Sequence, residues 1–270
     1  MLDDLRRDVD SYLKAEKIGV LNSLVQPENS TADVFAWWKY LPRILAHLPY
    51  TAIHRKKFIS CLKAYYAGKD VELKILGEFE REYTSDKAVW WYTRETFFYR
   101  LLNRALRQRN IQLIFLFGFF LQDLYRQLKS EHEYFKLAQK NNPILKCYRG
   151  QVMASDEIND LLLCGGLIVN SSLFSTSLDR NVSISFLKNV SISGRIDRVL
   201  FEIEIDVRKY SHPFADISHL SDIPGELEIL FMIGIPLRIQ NQKDAYNVKE
   251  QMWIFQLKME NDFSFKLADE

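Results

Sequence analysis

A change of hydrophobic period near residue 141 constrains this chain more than any other feature. Up to about residue 138, apolar residues recur at three- and four-residue spacing with few glycines, the signature of amphipathic helices. Asn141-Asn142-Pro143 breaks that pattern, and alternation takes over. Val199, Phe201, Ile203, Ile205 and Val207 share one face of a predicted strand, and Glu202, Glu204 and Asp206 share the other. Segments 228–233, 235–240 and 252–257 read as further strands. Short helices are expected from Ser155-Asp156-Glu157 to a left-handed end at Gly165-Gly166, and from about 179 to 188. The expectation is an α+β chain with a helical lobe over 1–138 and a β-rich lobe over 139–270, separate or fused into one continuous domain.

Within the helical part, Thr31-Ala32-Asp33 opens a run through Val34, Trp37, Trp38, Leu41 and Ile44, which Pro42 is expected to kink or end early. Ser85-Asp86 opens another, through Val89, Trp90, Thr93, Phe97, Leu101 and Leu102. Trp37, Trp38, Trp90 and Trp91 are expected in the core. Arg100, Arg104 and Arg107 line one helix face and, with no second basic cluster beside them, are expected in solvent.

Composition narrows the functions. Lys and Arg number 36 against 35 Asp and Glu, so the net charge of +1 counts against nucleic acid or an anionic membrane as partner. Three cysteines, Cys61, Cys147 and Cys164, are too few for a disulfide framework and imply free thiols and a cytoplasmic address. The first residues are polar, without the apolar core of a signal peptide. The stretch 111–121, interrupted by Gln112, is too short to span a membrane and reads as a buried core helix. Glycosylation patterns at Asn29, Asn170, Asn181 and Asn189 are therefore expected to go unused. No GxSxG elbow, phosphate loop, HExxH or CxxC occurs, and the five histidines lack metal-ligand spacing, so no metal is expected.

Three segments of the β-rich part stand out. Tyr148-Arg149-Gly150, at an expected strand end, offers a fork of donors suited to phosphate beside a glycine that admits a ligand to the backbone. Phe174-Ser175-Thr176-Ser177 leads into a helix carrying Phe186, its hydroxyls suited either to capping or to orienting a carboxylate. Pro224-Gly225-Glu226-Leu227-Glu228 opens a strand on which Glu226 and Glu228 are expected to point the same way. Two carboxylates held that close favour solvent or something cationic. Cys147, with no assigned base, is expected to be inert.

The order and spacing of these segments, with Ser175 26 residues after Arg149 and Glu228 53 after Ser175, resemble the arginine-serine-glutamate class of mono-ADP-ribosyltransferases. That class includes the clostridial binary-toxin enzymes and animal arginine-specific transferases. The match covers about residues 145 to 257, and Trp90-Trp91-Tyr92-Thr93-Arg94-Glu95 is similar to the helical region before the core in some members. The resemblance implies a mixed-β core of two small sheets, NAD as substrate and an arginine-bearing protein as acceptor. It implies that Arg149 holds the NAD phosphates or ribose, and that the Gly150 backbone holds the nicotinamide amide. Ser175 braces Glu228, while Thr176 and Ser177 stabilise that strand. Phe186 faces the nicotinamide ring, Glu228 is the catalytic glutamate and Glu226 selects the acceptor. In many toxin members the loop before Glu-x-Glu carries an exposed aromatic; here 216–225 has none, only His219. An NAD glycohydrolase and a non-catalytic interaction module are the alternatives.

Overall fold

A computed structural model describes residues 24–25, 32–188, 196–208, 212–223 and 227–260. Its helical part comprises α1 (Ala32–His47), α2 (Ala52–Tyr65), α3 (Asp70–Glu82), a 3-10 turn at Ser85–Lys87, α4 (Ala88–Thr93), α5 (Phe97–Arg107), α6 (Ile111–Leu116) and α7 (Gly118–Ala138). Trp38, Phe58, Phe79, Trp91, Phe98, Phe117 and Phe120 form its buried centre. Phe79 stacks on Phe98 at 4.6 Å and Phe58 meets Phe117 edge-on at 4.8 Å, geometries that add to plain area burial. Trp38 and Trp91 are wholly buried, and Trp37 and Trp90 pack against the same cluster, as expected.

Of the two outcomes expected at Pro42, a kink or an early end, the early end fails, because helix α1 runs through it to His47, and three other expectations fail with it. Proline frees the carbonyl four residues back, that of Trp38, and Gly234 (φ 87°) packs so tightly there that a Cβ would lie 2.2 Å from the oxygen. The helix expected to continue from Ser85 breaks between α4 and α5, where the Thr96 hydroxyl caps the new start by accepting from the Phe98 N–H. The stretch 111–121 is two helices, with Ile111 and Phe115 exposed. Arg104 is buried, its Nε donating to Gln108 at 3.0 Å, because α5 is covered on that face as well.

The β-rich part comprises β1 (Leu24–Val25), β2 (Ile144–Ala154), α8 (Ser155–Leu163), β3 (Leu167–Asn170), β4 (Phe174–Ser177), α9 (Arg180–Lys188), β5 (Ile196–Asp206), β6 (Phe214–Asp216), β7 (Glu228–Phe231), β8 (Pro236–Ile239), β9 (Tyr246–Asn247) and β10 (Met252–Met259). The strands run β1-β3-β8-β10-β5-β2-β4-β7-β6, with β9 on β10. Only β10 and β5 pair in parallel among the described strands. Strands β2 and β5 pair along their whole length, yet β2 meets β4 at one pair, Tyr148↔Ser177. The two small sheets expected are thus two ladders on one continuous path, joined at that seam.

The alternation at 199–207 holds: its five apolar residues are fully buried, while Glu202 pairs with Arg180 at 2.9 Å and Glu204 with Lys258 at 2.8 Å on the other face. Gly166 (φ 80°) takes the left-handed conformation after α8. The Asn170 side chain donates to the Ser172 and Met232 carbonyls and accepts from Ile235 N–H, so it serves the core. The short ladder β4-β7-β6 is covered on both faces. Ala215 and Leu230 join the helical core, whereas Phe174, Phe214, Ile229 and Phe231 join that of the long ladder. Among the described residues, no helix is long and apolar enough to cross a membrane.

Candidate functional site

Arg149 lies in the middle of β2 rather than at a strand end. Its Nη1 donates to the Ser175 carbonyl at 2.7 Å, its Nε to Gln151 Oε1 at 3.3 Å, and the guanidinium sits 4.7 Å over the Phe174 ring. A planar cation held on two edges and one face is fixed in direction as well as position.

Strand β4 brings its hydroxyls alongside. Thr176 Oγ1 donates to the Ile229 carbonyl at 2.9 Å, fastening β4 to β7. Ser177 stands opposite Glu228 and Ser175 opposite Leu230, so Ser177 is the direct cross-strand neighbour of Glu228 and Ser175 a diagonal one. All four share the face toward the helices, because Leu230 belongs to the helical core.

Glu228 opens β7 and is 95 % shielded, with 5 % exposure. Leu227 before it is left-handed (φ 48°), and its carbonyl accepts from Leu178 N–H at 3.0 Å. Glu226 itself lies outside the described residues.

At Gly150 the close approach is made by the protein itself. A Cβ there would stand 2.1 Å from the Ser183 carbonyl of α9, and Ser183 Oγ donates to the Tyr148 carbonyl at 2.8 Å. The glycine thus seats α9 directly on β2. That seating carries Phe186, 58 % exposed, to the rim of a cavity of about 520 Å³.

Arg149, Gly150, Ser175, Thr176, Ser177, Phe186 and Glu228 all line this cavity. Its opposite wall comes from the helical part: Tyr92, Thr93, Arg94, Glu95, Thr96, Tyr99 and Arg100. The legible signal was the polar Thr93-Arg94-Glu95-Thr96 interrupting an apolar helix. Tyr92 is buried with its hydroxyl accepting from Asn103 Nδ2 at 3.0 Å. Burial pushes its phenol well above the usual tyrosine range; the neighbouring Tyr99 and the Glu228 charge add to the rise, and Arg149 opposes it. Arg94 pairs with both oxygens of Glu78, at 2.8 and 3.3 Å, and lies over Trp90 and Trp91. Thr93 Oγ1 accepts from Asp222 N–H at 2.9 Å, tying the segment before Glu228 to the helices, and His219 lies 3.3 Å from Glu131. Arg100, expected in solvent, is exposed into this cavity. Cys147 is buried and its thiol is pushed up to about 12, in keeping with inert packing.

No protein-family model matches the chain, and no curated protein matches it by sequence. Among solved structures it is similar to the Vis toxin, an ADP-ribosyltransferase from Vibrio splendidus, at 20 % identity over 83 % of this chain and 93 % of that one, with a TM-score of 0.46. It is similar to the ADP-ribosyltransferase HopU1 of Pseudomonas syringae pv. tomato DC3000, at 18 % identity over 86 % and 98 % of the two chains and a TM-score of 0.46. The C3 exoenzyme of Clostridium limosum aligns at 15 % identity over 66 % and 86 %, with a TM-score of 0.45.

Proposed function

We propose that this protein is a mono-ADP-ribosyltransferase that moves ADP-ribose from NAD to a protein arginine and releases nicotinamide. One observation carries the reading: Arg149, the Ser175–Ser177 hydroxyls and Glu228, from three separate segments, line one cavity with an exposed aromatic, Phe186, at its rim. Its volume falls within the range of roughly 300–1,000 Å³ typical of ligand sites. Arg149, with Arg100 across the cavity, supplies positive charge for the NAD phosphates. The nicotinamide ring stacks on Phe186, and its amide meets the Gly150 backbone.

Cleavage of the nicotinamide–ribose bond leaves an oxocarbenium-like sugar. Glu228, accepting from the ribose 2′-hydroxyl, stabilises that developing charge more than the ground state. Ser175 and Ser177 hold the carboxylate, and Thr176 holds its strand. The acceptor guanidinium attacks the sugar carbon and gives up a proton, for which Glu226 is the assigned carboxylate.

The test is nicotinamide release from NAD, with and without agmatine as a free guanidinium. Glu228→Gln is expected to lower kcat by about 10²–10³, the usual loss of one electrostatic partner of a transition state. Acceptor-dependent release lost in both Glu228→Gln and Glu226→Gln supports arginine transfer. Release indifferent to agmatine and to Glu226→Gln makes the protein an NAD glycohydrolase. No release from folded protein refutes the enzymatic reading in favour of an interaction module.

A further inference from the structure

Side chains of β2 alternate, so Cys147, Arg149, Gln151 and Met153 form one row. Its ends, Cys147 and Met153, are buried in the core of the long ladder, and its cross-strand partners Phe201 and Val199 are buried there too. Two polar residues in the middle of a core-facing row have no packing rationale. Arg149 has a site to serve; Gln151 does not line the cavity.

We infer that Gln151 is a positioning residue for Arg149, an inference that rests on the reading of Arg149 as the group that holds the anionic substrate. Gln151 Oε1 accepts from Arg149 Nε at 3.3 Å, while Ser175 takes Nη1 and Phe174 takes the face. The amide cannot be reversed, because its NH₂ would then confront the Nε–H donor. In that fixed orientation Gln151 Nε2 is buried with no partner among the described residues. A buried donor left unpaired costs stability, so the amide sits here for what its oxygen does. With Nε and Nη1 committed, the guanidinium is aimed before substrate arrives, which lowers the ordering cost of binding without acting on the transition state.

The test uses Gln151→Met and Gln151→Glu, with NAD kinetics, folding midpoints and the ¹⁵N-resolved exchange of the Arg149 Nε–H, assigned by its loss in Arg149→Lys. Gln151→Met is expected to raise KM for NAD about tenfold and leave kcat within twofold, the pattern of lost uniform binding. Its folding midpoint stays equal or rises, and the Nε–H exchanges at least tenfold faster. Gln151→Glu, which keeps an acceptor, retains the slow exchange. Unchanged exchange in Gln151→Met, or an unchanged KM, overturns the inference. Should wild-type protein turn over no NAD, the functional reading fails by that result, and the exchange measurement still decides whether Gln151 holds Arg149.

Discussion

Replacing Gly150 with alanine tests the joint on which the cavity's outer wall is built. The new Cβ would start 2.1 Å from the Ser183 carbonyl, and ordinary contact begins at 3.4 Å, so helix α9 has to retreat by about 1.3 Å. The obstacle is backbone, so no rotamer change relieves it. Overpacking of this kind costs about 1–3 kcal/mol. The retreat also stretches the 2.8 Å bond from Ser183 Oγ to the Tyr148 carbonyl, worth about 1 kcal/mol. A loss of about 2–4 kcal/mol moves the urea midpoint by about 1 M at a slope of roughly 3 kcal/mol/M. Val182, Ser183 and Phe186 leave the cavity wall together, so on the proposed function KM for NAD rises as well. Ser183→Ala is the control, forfeiting only the hydrogen bond. A Gly150→Ala protein with the wild-type midpoint and α9 unmoved in a crystal structure would refute the reasoning.

Two further outcomes follow from burial. Burial holds the Asp123 carboxyl above its usual range, against the opposing pull of the Tyr83 hydroxyl, which donates to it at 2.9 Å, and of Arg126. A raised carboxylate costs stability above its folded pKa, and that cost fades as pH falls through the folded value towards 3.8. Asp123→Asn keeps an acceptor for Tyr83, so it is expected to be more stable than wild type at pH 7, with the gap closing towards pH 4; thermal midpoints across that range check this, and a gap that widens in acid contradicts it. For the thiols, native protein at pH 8 is expected to be alkylated at half-buried Cys61 and spared at buried Cys147 and Cys164 until denatured. Peptide mass spectrometry reads this out, and rapid native labelling of Cys147 counts against its burial.

The β-rich half was legible because its constraints are local. The five alternating residues of 199–207 needed only a two-residue period to declare their face, and Gly166 only a helix end. Three of the residues that line the cavity, Arg149, Ser175 and Glu228, were legible through order and spacing. What stayed hidden depends on distant neighbours. Helix α1 continues past Pro42, and the Trp38 carbonyl that the proline frees is packed by Gly234, some two hundred residues later. Arg104 reads as solvent-facing until the elements covering α5 are known. Gly150 reads as a place for a ligand alone, and its second task, seating α9, shows only in the fold. The helical wall around Tyr92 and Arg100 could not be inferred from β-rich motifs at all.

Strands β2 and β4 pair in the ladder at one register position, Tyr148↔Ser177, so the part of the sheet bearing Arg149 and the part bearing Glu228 share one rung. A broad sheet resists shear at every rung; here a single rung is left. Arg149 adds a second tie, its guanidinium reaching over the join to the Ser175 carbonyl. The residue assigned to the substrate's anion in the proposed function is thus also a tie across the joint, and with Nη1 on the carbonyl and Nε on Gln151 it keeps Nη2 to meet an occupant without releasing the seam.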